Sequence, residues 1–518
     1  MSAESKGTGT VRARNAVRNS FFSVLTQVAL IVFAALSNRV VNHRIGEALI
    51  GLNGTITNVL GILSVTELGF STAVIYHLYR GMAEKNEKEV AELINLYRRA
   101  YFVIAGIILV IGLCLLPLLP AVMKDNPFSD GYTRTLYLLW LFRTVFSYLQ
   151  AYLRSVLIAD QKEYLVSITM MAIQIINNLS IVAIVYFTGD YLPALIANIA
   201  VEVFLYWCLN RYILKSYPYL RTYRKIQVPE GLRKGIYKDI KDVFVSRLSL
   251  RLLGSTDNLI ITGIISVVVS GLYNNYLLIT NAVSGLASSV SNSIQPVIGN
   301  LFLEKDQDKN ETVLSQMLFL FFLIGAFFSV ALQSLLSPFI TLWLGERYVL
   351  APLTVTLLSV CIGISVLNMP LGAVMTAAGL FRCERNLSAL SAVANLAASL
   401  LLVWPLGVSG VVIGTILAYL IQLVVRLIYF CRHYLGRGVQ RFFGELAIYF
   451  LLAGAEIFAM ARLAALLKPQ TSAGRLLLVL LLCILIPNLC NLLIFCRTKR
   501  WKGLIRIMRS AKSGGTKK

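Results

Sequence analysis

The stretch YFVIAGIILVIGLCLLPLLP, residues 101–120, runs for twenty positions without a charged residue. A helix needs about 20 mostly apolar residues to cross the hydrocarbon core of a bilayer, so this stretch predicts a transmembrane helix. Similar runs recur along the chain, which is 57% hydrophobic, only 14% charged, and has a mean hydropathy of +0.73. A soluble domain has about 25% charged residues. The sequence therefore predicts an all-α integral membrane protein.

The apolar runs predict fourteen transmembrane helices. They lie at 17–38, 48–78, 100–123, 132–155, 164–187, 192–213, 243–264, 270–301, 313–336, 351–377, 386–405, 408–430, 442–465 and 474–496. The longest polar stretch separates the sixth helix from the seventh. We therefore predict an N-lobe of helices 1–6 (1–213), a basic linker loop (214–241), a C-lobe of helices 7–12 (242–430), helices 13 and 14 (431–496) and a basic tail (497–518).

Two short segments resemble each other at equivalent places in the two lobes. GLNGTITNVLGILSV (51–65) and GLYNNYLLITNAVSG (271–285) each open the second helix of a six-helix block. Since an even number of crossings separates them, the lobes share one orientation. This arrangement indicates a parallel pseudo-repeat about an axis along the membrane normal.

The charge distribution predicts the orientation of the chain. The net charge is +23, and most of the 48 lysines and arginines fall in segments that this topology places in the cytoplasm, together with both termini. Cytoplasmic loops of membrane proteins carry such an excess. The basic residues then meet anionic membrane lipids rather than nucleic acid, because they concentrate on one membrane face. We expect localisation in the bacterial plasma membrane.

Cysteine and histidine usage gives no sign of a metal site or a disulfide framework. The eight cysteines form no CxxC pair, and His43, His77 and His433 are far apart in sequence. We expect neither a metal nor another cofactor, while a coupling cation remains open. A membrane glycosyltransferase or polymerase would need clustered aspartates or a large external segment, and the sequence shows neither. We therefore expect a protein that is not an enzyme.

Arg143 lies near the middle of predicted helix 4, in LYLLWLFRTVFSYL. An arginine at a helix centre costs about 2.5–3.5 kcal/mol on insertion scales, so it persists where it meets a negative group. One interpretation is a wet cavity in which Arg143 binds an anionic cargo. The other is a structural ion pair with Glu67 or Glu202, which are also deep in predicted helices.

Predicted helix 7 carries a polar stripe at its start. Arg247, Arg251 and Asn258 fall on one side of the helix at 100° per residue, and lipid would reject that side. The arginines are candidates for binding an anion or for anchoring in the headgroups. Asp257 points away from the stripe and is a candidate for an ion pair or for cation binding.

Several other polar residues are candidates for the transport path. Asn53 and Glu67 share a face of predicted helix 2, and Glu67 would be either a coupling carboxylate or a partner for Arg143. Arg39 and Arg44 flank the outer hairpin, where they would attract an anion to the mouth or simply face solvent. On predicted helix 13, Glu445 can pair with Arg441 four residues earlier.

One region carries a family resemblance. The run ALSNRVVNHRIGEALIGLNGTITNVLGILSVTELGFSTAVIYHLYRGMAEKN (35–86) resembles the N-terminal region of Wzx-type polysaccharide flippases. These belong to the multidrug/oligosaccharidyl-lipid/polysaccharide exporter superfamily. STDNLIITGIISVVVSGLYNNYLLI (255–279) looks like the matching start of the second half. The clear sequence likeness covers about a fifth of the chain.

The resemblance implies an alternating-access transporter with two lobes around a hydrophilic cavity. Its implied cargo is an undecaprenyl-pyrophosphate-linked oligosaccharide, turned from the inner to the outer leaflet. The pyrophosphate and sugars would be bound by Arg143, Arg247 and Arg251, with Asn53 and Asn258. The carboxylates Glu67, Asp257 and Glu202 would couple transport to a cation gradient or form ion pairs. Polysaccharide polymerase and glycosyltransferases are the implied protein partners. A flippase for the peptidoglycan precursor lipid II is the alternative, and a cation-coupled drug exporter is a more distant one.

Overall fold

The computed structural model describes most of the apolar part of the chain. It describes residues 32–63, 86–160, 162–223, 255–303, 307–377, 381–432, 439–466 and 473–498, together with positions 78, 82, 84 and 501. Within these ranges the regular secondary structure is helical.

The described residues form the following helices, given in chain order. They are α1 (32–44), α2 (Glu47–Leu63), α3 (Glu87–Leu115), α4 (Asp130–Ala159), α5 (Glu163–Thr188), α6 (Leu192–Ser216), α7 (255–260, continued by a π-helix at Ile261–Ile265), α8 (Val267–Leu303), α9 (Gln307–Trp343), α10 (Pro352–Ala377), α11 (Phe381–Leu406), α12 (Val408–Phe430), α13 (Gln440–Leu466) and α14 (Ala473–Phe495). Short helical turns lie at Leu116–Leu118, Leu119–Val122, Tyr219–Thr222 and Glu346–Tyr348.

Nine helical segments of the described residues are long and apolar enough to cross a membrane. They lie in α3, α5, α6 and α9 to α14. Their outer faces carry large exposed apolar side chains such as Val103, Leu401 and Leu451. Such a surface suits lipid rather than water. The chain is therefore a multi-pass membrane protein, and the number fourteen stays a prediction.

The predicted helix positions agree with the structure from α4 to α6 and from α8 to α14 to within a few residues. The exception is α3, which begins at Glu87 rather than near residue 100. Asn86 caps this helix, since its side chain accepts a hydrogen bond from the Glu89 backbone N–H. The added turns are buried at every position from Val90 to Tyr97, including Leu93 and Ile94. A search for apolar runs misses them because charged residues interrupt the run.

The chain divides into two compact units, Met1–Leu278 and Ile279–Lys518. The first unit has a core of buried residues from α2 to α6, including Tyr137 and Tyr148. The second unit has a core built around the aromatic rings of α9, α13 and α14, among them Phe322, Tyr449 and Phe495. The predicted lobe boundaries and the linker at 214–241 stay predictions.

The starts of the two segments matched by sequence lie side by side within the first unit. A Cβ on Gly51 would overlap the carbonyl oxygen of Val267, and a Cβ on Gly271 would overlap that of Glu47. In the sequence repeat, Gly271 corresponds to Gly51, and Val267 corresponds to Glu47. The backbones of α2 and α8 therefore cross at glycine in both directions, as small residues permit in membrane helices.

Candidate functional site

An ion pair joins α4 to α6 in the first unit. Arg143 Nε donates to Glu202 Oε2 over 2.6 Å. The Arg143 side chain is 23% exposed and the Glu202 side chain 13% exposed, so the pair is partly shielded but still reachable. The sequence offers two carboxylates, Glu67 and Glu202, as structural partners for Arg143. Glu202, which lies within the described residues, is in contact with it.

An indole and an amide extend the pair toward α2. The Arg143 guanidinium carbon lies 4.9 Å from the centroid of the Trp140 ring. Trp140 Nε1 in turn donates to Asn53 Oδ1 over 2.8 Å. Asn53, Trp140, Arg143 and Glu202 thus form one connected group, which we call the Arg143 cluster. Three residues predicted separately from sequence meet here, on three different helices.

The spacing of polar residues explains why α4 and α6 meet along this line. On α4 they recur every three or four positions, and on α6 every four, so each set lies on one helix face. The α4 set is Arg143, Ser147, Gln150 and Arg154, and the α6 set is Glu202, Tyr206 and Asn210. Arg154 Nη1 donates to the Tyr206 hydroxyl at 3.1 Å, and Asn210 Nδ2 donates to Gln150 Oε1 at 3.1 Å. A polar seam therefore runs along much of both helices.

The guanidinium of Arg143 retains hydrogen-bonding capacity. Glu202 accepts a hydrogen bond only from Nε, and no described residue accepts one from Nη1 or Nη2. A guanidinium presents five N–H donors in a planar fork, which suits bidentate binding of phosphate oxygens. The cluster can thus bind a second anionic group beside Glu202.

A second deep arginine, Arg426 on α12, is arranged differently. Its Nε donates to Glu384 Oε2 at 3.2 Å, its Nη2 donates to Glu384 Oε1, and its Nη1 donates to Asn368 Oδ1 at 3.2 Å. The Arg426 side chain is only 8% exposed. Bidentate pairing and burial leave this arginine closed to a ligand, so we assign it a structural role in the second unit.

The described residues of α7 serve helix packing. Asn258 Nδ2 donates to Asn274 Oδ1 at 3.0 Å, and the Ser270 hydroxyl donates to Asn258 Oδ1 at 3.4 Å. Asn258 and Asp257 are both buried. A role for either in substrate or cation binding stays a prediction. The other members of the predicted set, Glu67, Arg247 and Arg251, lie outside the described residues.

The predicted outer-mouth arginines are both exposed. The Arg44 guanidinium carbon stacks 4.5 Å from the centroid of the Tyr186 ring on α5. No such ring contact is described for Arg39. The predicted i,i+4 pair is present on α13, since Arg441 Nε lies 3.3 Å from Glu445 Oε1. Arg441 also pairs with Glu311 on α9.

Sequence reasoning did not single out Arg154, Tyr206, Glu384 or Arg426. Arg426 could have been found by the argument used for Arg143, because it also interrupts an apolar run, LIQLVVRLIYF. Arg154 lies near the end of predicted helix 4, where a polar residue is unremarkable, and Tyr206 is one of several aromatic residues in predicted helix 6. Only the packing of α4 on α6 brings them to the seam.

No protein-family model and no curated protein matches the sequence. Solved structures do match the fold. Lipid II flippase MurJ, in an inward closed conformation, aligns with a TM-score of 0.69 at 13% identity, over 92% of this chain and 100% of that chain. A multidrug resistance MATE family transporter of the MOP superfamily, in an inward-facing conformation, aligns with a TM-score of 0.62 at 14% identity, over 79% and 97%.

A third match is a MOP superfamily transporter from Pyrococcus furiosus, described as having a binding pocket of reversed polarity. It aligns with a TM-score of 0.53 at 15% identity, over 82% of this chain and 97% of that chain. The matched proteins are described as transporters or as a flippase, whereas their binding pockets and cargoes differ. This chain has the helical fold that MurJ and the MATE transporters share.

Proposed function

We propose that this protein is a flippase for an undecaprenyl-pyrophosphate-linked oligosaccharide, working by alternating access in a bacterial plasma membrane. The flipped unit would serve the synthesis of a capsule, an exopolysaccharide or an O-antigen-like polymer. A diphosphate with an attached glycan cannot enter hydrocarbon unaided, while the lipid tail can remain in the bilayer during the crossing.

The observation that carries the proposal is the Arg143 cluster. A partly exposed guanidinium lies near the middle of α4, and neither of its Nη groups has a described partner. Charge-assisted hydrogen bonds to phosphate are among the strongest a side chain makes. Glu202 neutralises the positive charge of Arg143, so the cluster is stable without a bound cargo between transport cycles.

A lipid II flippase is the second candidate, and it is favoured by the whole-length likeness to MurJ. Both cargoes are undecaprenyl-pyrophosphate-linked sugars, and a guanidinium would bind the diphosphate of either. The attached glycan separates the two candidates. A cation-coupled drug exporter fits less well, because an arginine with open donors would repel a cationic drug.

The experiment is deletion of the gene in its source organism, followed by analysis of the accumulated lipid-linked sugars. Accumulation of a polysaccharide repeat unit supports the main proposal, while accumulation of the peptidoglycan precursor supports the second candidate. Unchanged lipid-linked pools combined with lost drug tolerance would contradict both and favour the exporter.

The proposal has consequences for partners and energy. Glycosyltransferases would deliver the cargo at the inner leaflet, and a polymerase would consume it at the outer leaflet. Turnover requires that the cargo favour one conformation over the other. We propose a coupling cation or the membrane potential as the driving force, to be distinguished by flipping assays in vesicles with a defined ion gradient.

A further inference from the structure

A carboxyl and an amide meet between the last two helices of the second unit. Asn491 Nδ2 on α14 donates to Glu456 Oε1 on α13 over 2.7 Å. Asn491 is only 3% exposed. The pair lies within the apolar spans Gln440–Ala464 and Gly474–Phe495, far from the Arg143 cluster in sequence.

Each side chain of this pair has one further buried oxygen. Glu456 Oε2 and Asn491 Oδ1 are both inaccessible, and neither has a hydrogen-bond partner among the described residues. Both atoms are acceptors if Glu456 is a carboxylate. A buried acceptor without a donor is destabilising, and more so when it is charged. The observed pairing therefore leaves one buried oxygen without a described hydrogen-bond donor on each of the two side chains.

One proton bound to Glu456 would provide a hydrogen bond for both of these oxygens. A carboxylic acid proton on Oε2 would donate to Asn491 Oδ1, while Asn491 Nδ2 continues to donate to Oε1. The result is a cyclic acid–amide pair in which all three oxygens and the amide nitrogen take part in hydrogen bonds.

No described cation compensates a negative charge at this position. On α13, Arg441 pairs with Glu445 and with Glu311 of α9, whereas Arg462 lies over the Phe458 ring. On α14, Arg475 donates to the Ala464 carbonyl oxygen. Three other titratable groups lie on the described parts of these two helices. They are the Cys483 thiol, buried in an apolar cluster, the exposed Cys490 thiol, and the Tyr449 ring, stacked on Phe322.

We propose that Glu456 and Asn491 form a proton-binding site between α13 and α14, with Glu456 held as a carboxylic acid. A metal cation is a poorer occupant, because hard cations surround themselves with six or more oxygens and the pair supplies two. Loss of the proton would leave a carboxylate facing an amide oxygen in an apolar contact. Proton release would thus weaken the α13–α14 contact, and proton uptake would restore it.

The test is infrared spectroscopy of the full-length protein in lipid nanodiscs at neutral pH. The wild type should show the C=O stretching band of a protonated carboxylic acid, and Glu456→Gln should lack it. Glutamine keeps both hydrogen bonds of the pair, so this variant is expected to fold. Glu445→Gln is the matched control, since Glu445 lies on the same helix but pairs with Arg441, and this variant should retain the band.

Two results would overturn the proposal. One is a wild-type spectrum without a carboxylic acid band, a readout that needs no variant to fold. The other is a band that Glu456→Gln leaves unchanged. Replacing potassium by sodium in the buffer should not alter the band, and its loss in sodium would assign the site to a metal cation instead.

Discussion

At the scale of single residues, two arginines in apolar helices have opposite surroundings. Arg426 donates from all three guanidinium nitrogens to Glu384 and Asn368 and is almost fully buried. Arg143 uses one nitrogen on Glu202 and keeps two open at a partly exposed position. Since a guanidinium gains most when all its donors are satisfied, the open donors mark Arg143 as the better candidate for ligand binding.

Arg143→Gln should weaken binding of undecaprenyl pyrophosphate at least about tenfold, because a hydrogen bond to a charged group contributes about 1.5–3 kcal/mol. Glu202→Gln should tighten the same binding, since it removes the carboxylate that competes for the guanidinium. Titration of the purified protein with the lipid measures both constants. Arg462→Gln, at an exposed arginine over the Phe458 ring, is the control and should leave the affinity unchanged.

A purely structural ion pair would behave differently. Both Arg143→Gln and Glu202→Gln would then lower thermal stability, and neither would change the affinity for the lipid. That outcome would remove the single observation on which the proposed cargo rests.

At the scale of the helices, the crossing of α2 and α8 depends on glycine. Gly51→Ala or Gly271→Ala should destabilise the protein by about 1–3 kcal/mol, because each new Cβ overlaps a backbone carbonyl oxygen that cannot move independently. Unfolding in detergent, followed by tryptophan fluorescence, measures the loss. Gly106→Ala is the matched control, since nothing lies within 4 Å of a Cβ built on this helical glycine of α3. Equal stability of all three variants would mean that the crossing is looser than described.

A second contact joins the residue just after α6 to the end of α4. The Tyr217 hydroxyl donates to Asp160 Oδ2 at 2.5 Å, just beyond the end of α4. Lys162 Nζ lies 2.7 Å from the same oxygen. Burial, and then the hydrogen bond to Asp160, raises the pKa of Tyr217 above its ordinary value. The folded protein therefore holds the phenol proton to a higher pH than the unfolded chain does.

This contact predicts a loss of stability at alkaline pH. The contribution of Tyr217 is complete below its ordinary pKa of about 10 and is lost as the pH rises above that value. The unfolding free energy of the wild type should therefore fall more steeply between about pH 9 and about pH 11 than that of Tyr217→Phe. Tyr212→Phe, at an exposed tyrosine of α6, should follow the wild type. Parallel curves for all three proteins would contradict the assignment.

At the scale of the whole molecule, the proposed alternating access requires some helix contacts to open during the cycle. Thr55 on α2 contacts Thr262 in the π-helix that continues α7, with 2.7 Å between the hydroxyl oxygens. This contact joins predicted helices 2 and 7. Asn42 Nδ2 also donates to Asn275 Oδ1 at 3.1 Å, from α1 to α8. These bonds link elements from the two predicted six-helix blocks and are candidates for opening.

A disulfide between Thr55→Cys and Thr262→Cys, in a background without the native cysteines, should stop flipping in reconstituted vesicles, and reduction should restore it. The control pair is Thr354→Cys with Ser409→Cys, whose hydroxyl oxygens lie 2.8 Å apart within the second unit. Its oxidation should leave flipping unchanged. Undiminished flipping with the first pair cross-linked would show that α2 and the π-helix of α7 stay together throughout the cycle.

The positions of the apolar helices could be predicted because length and hydropathy act locally along the chain. The predicted start of α3 was wrong by about three turns, since its first turns are stabilised by the Asn86 cap and by packing rather than by apolar composition. The matched glycines of α2 and α8 were visible as a repeat, but their mutual contact was not. Sequence similarity does not say which equivalent segments touch.

The sequence by itself determined that the chain crosses a membrane many times, that its second helices match, and that Arg143 and Glu202 are deep. Only the tertiary structure decided that Arg143 pairs with Glu202 while two of its nitrogens have no described partner. It also decided that the partners and the burial of Arg426 leave this arginine closed to a ligand. The physical reason is that hydropathy is summed along a single helix, whereas a hydrogen-bonding partner comes from another helix. The partner depends on how the helices pack, and residues distant in sequence meet only in the folded molecule.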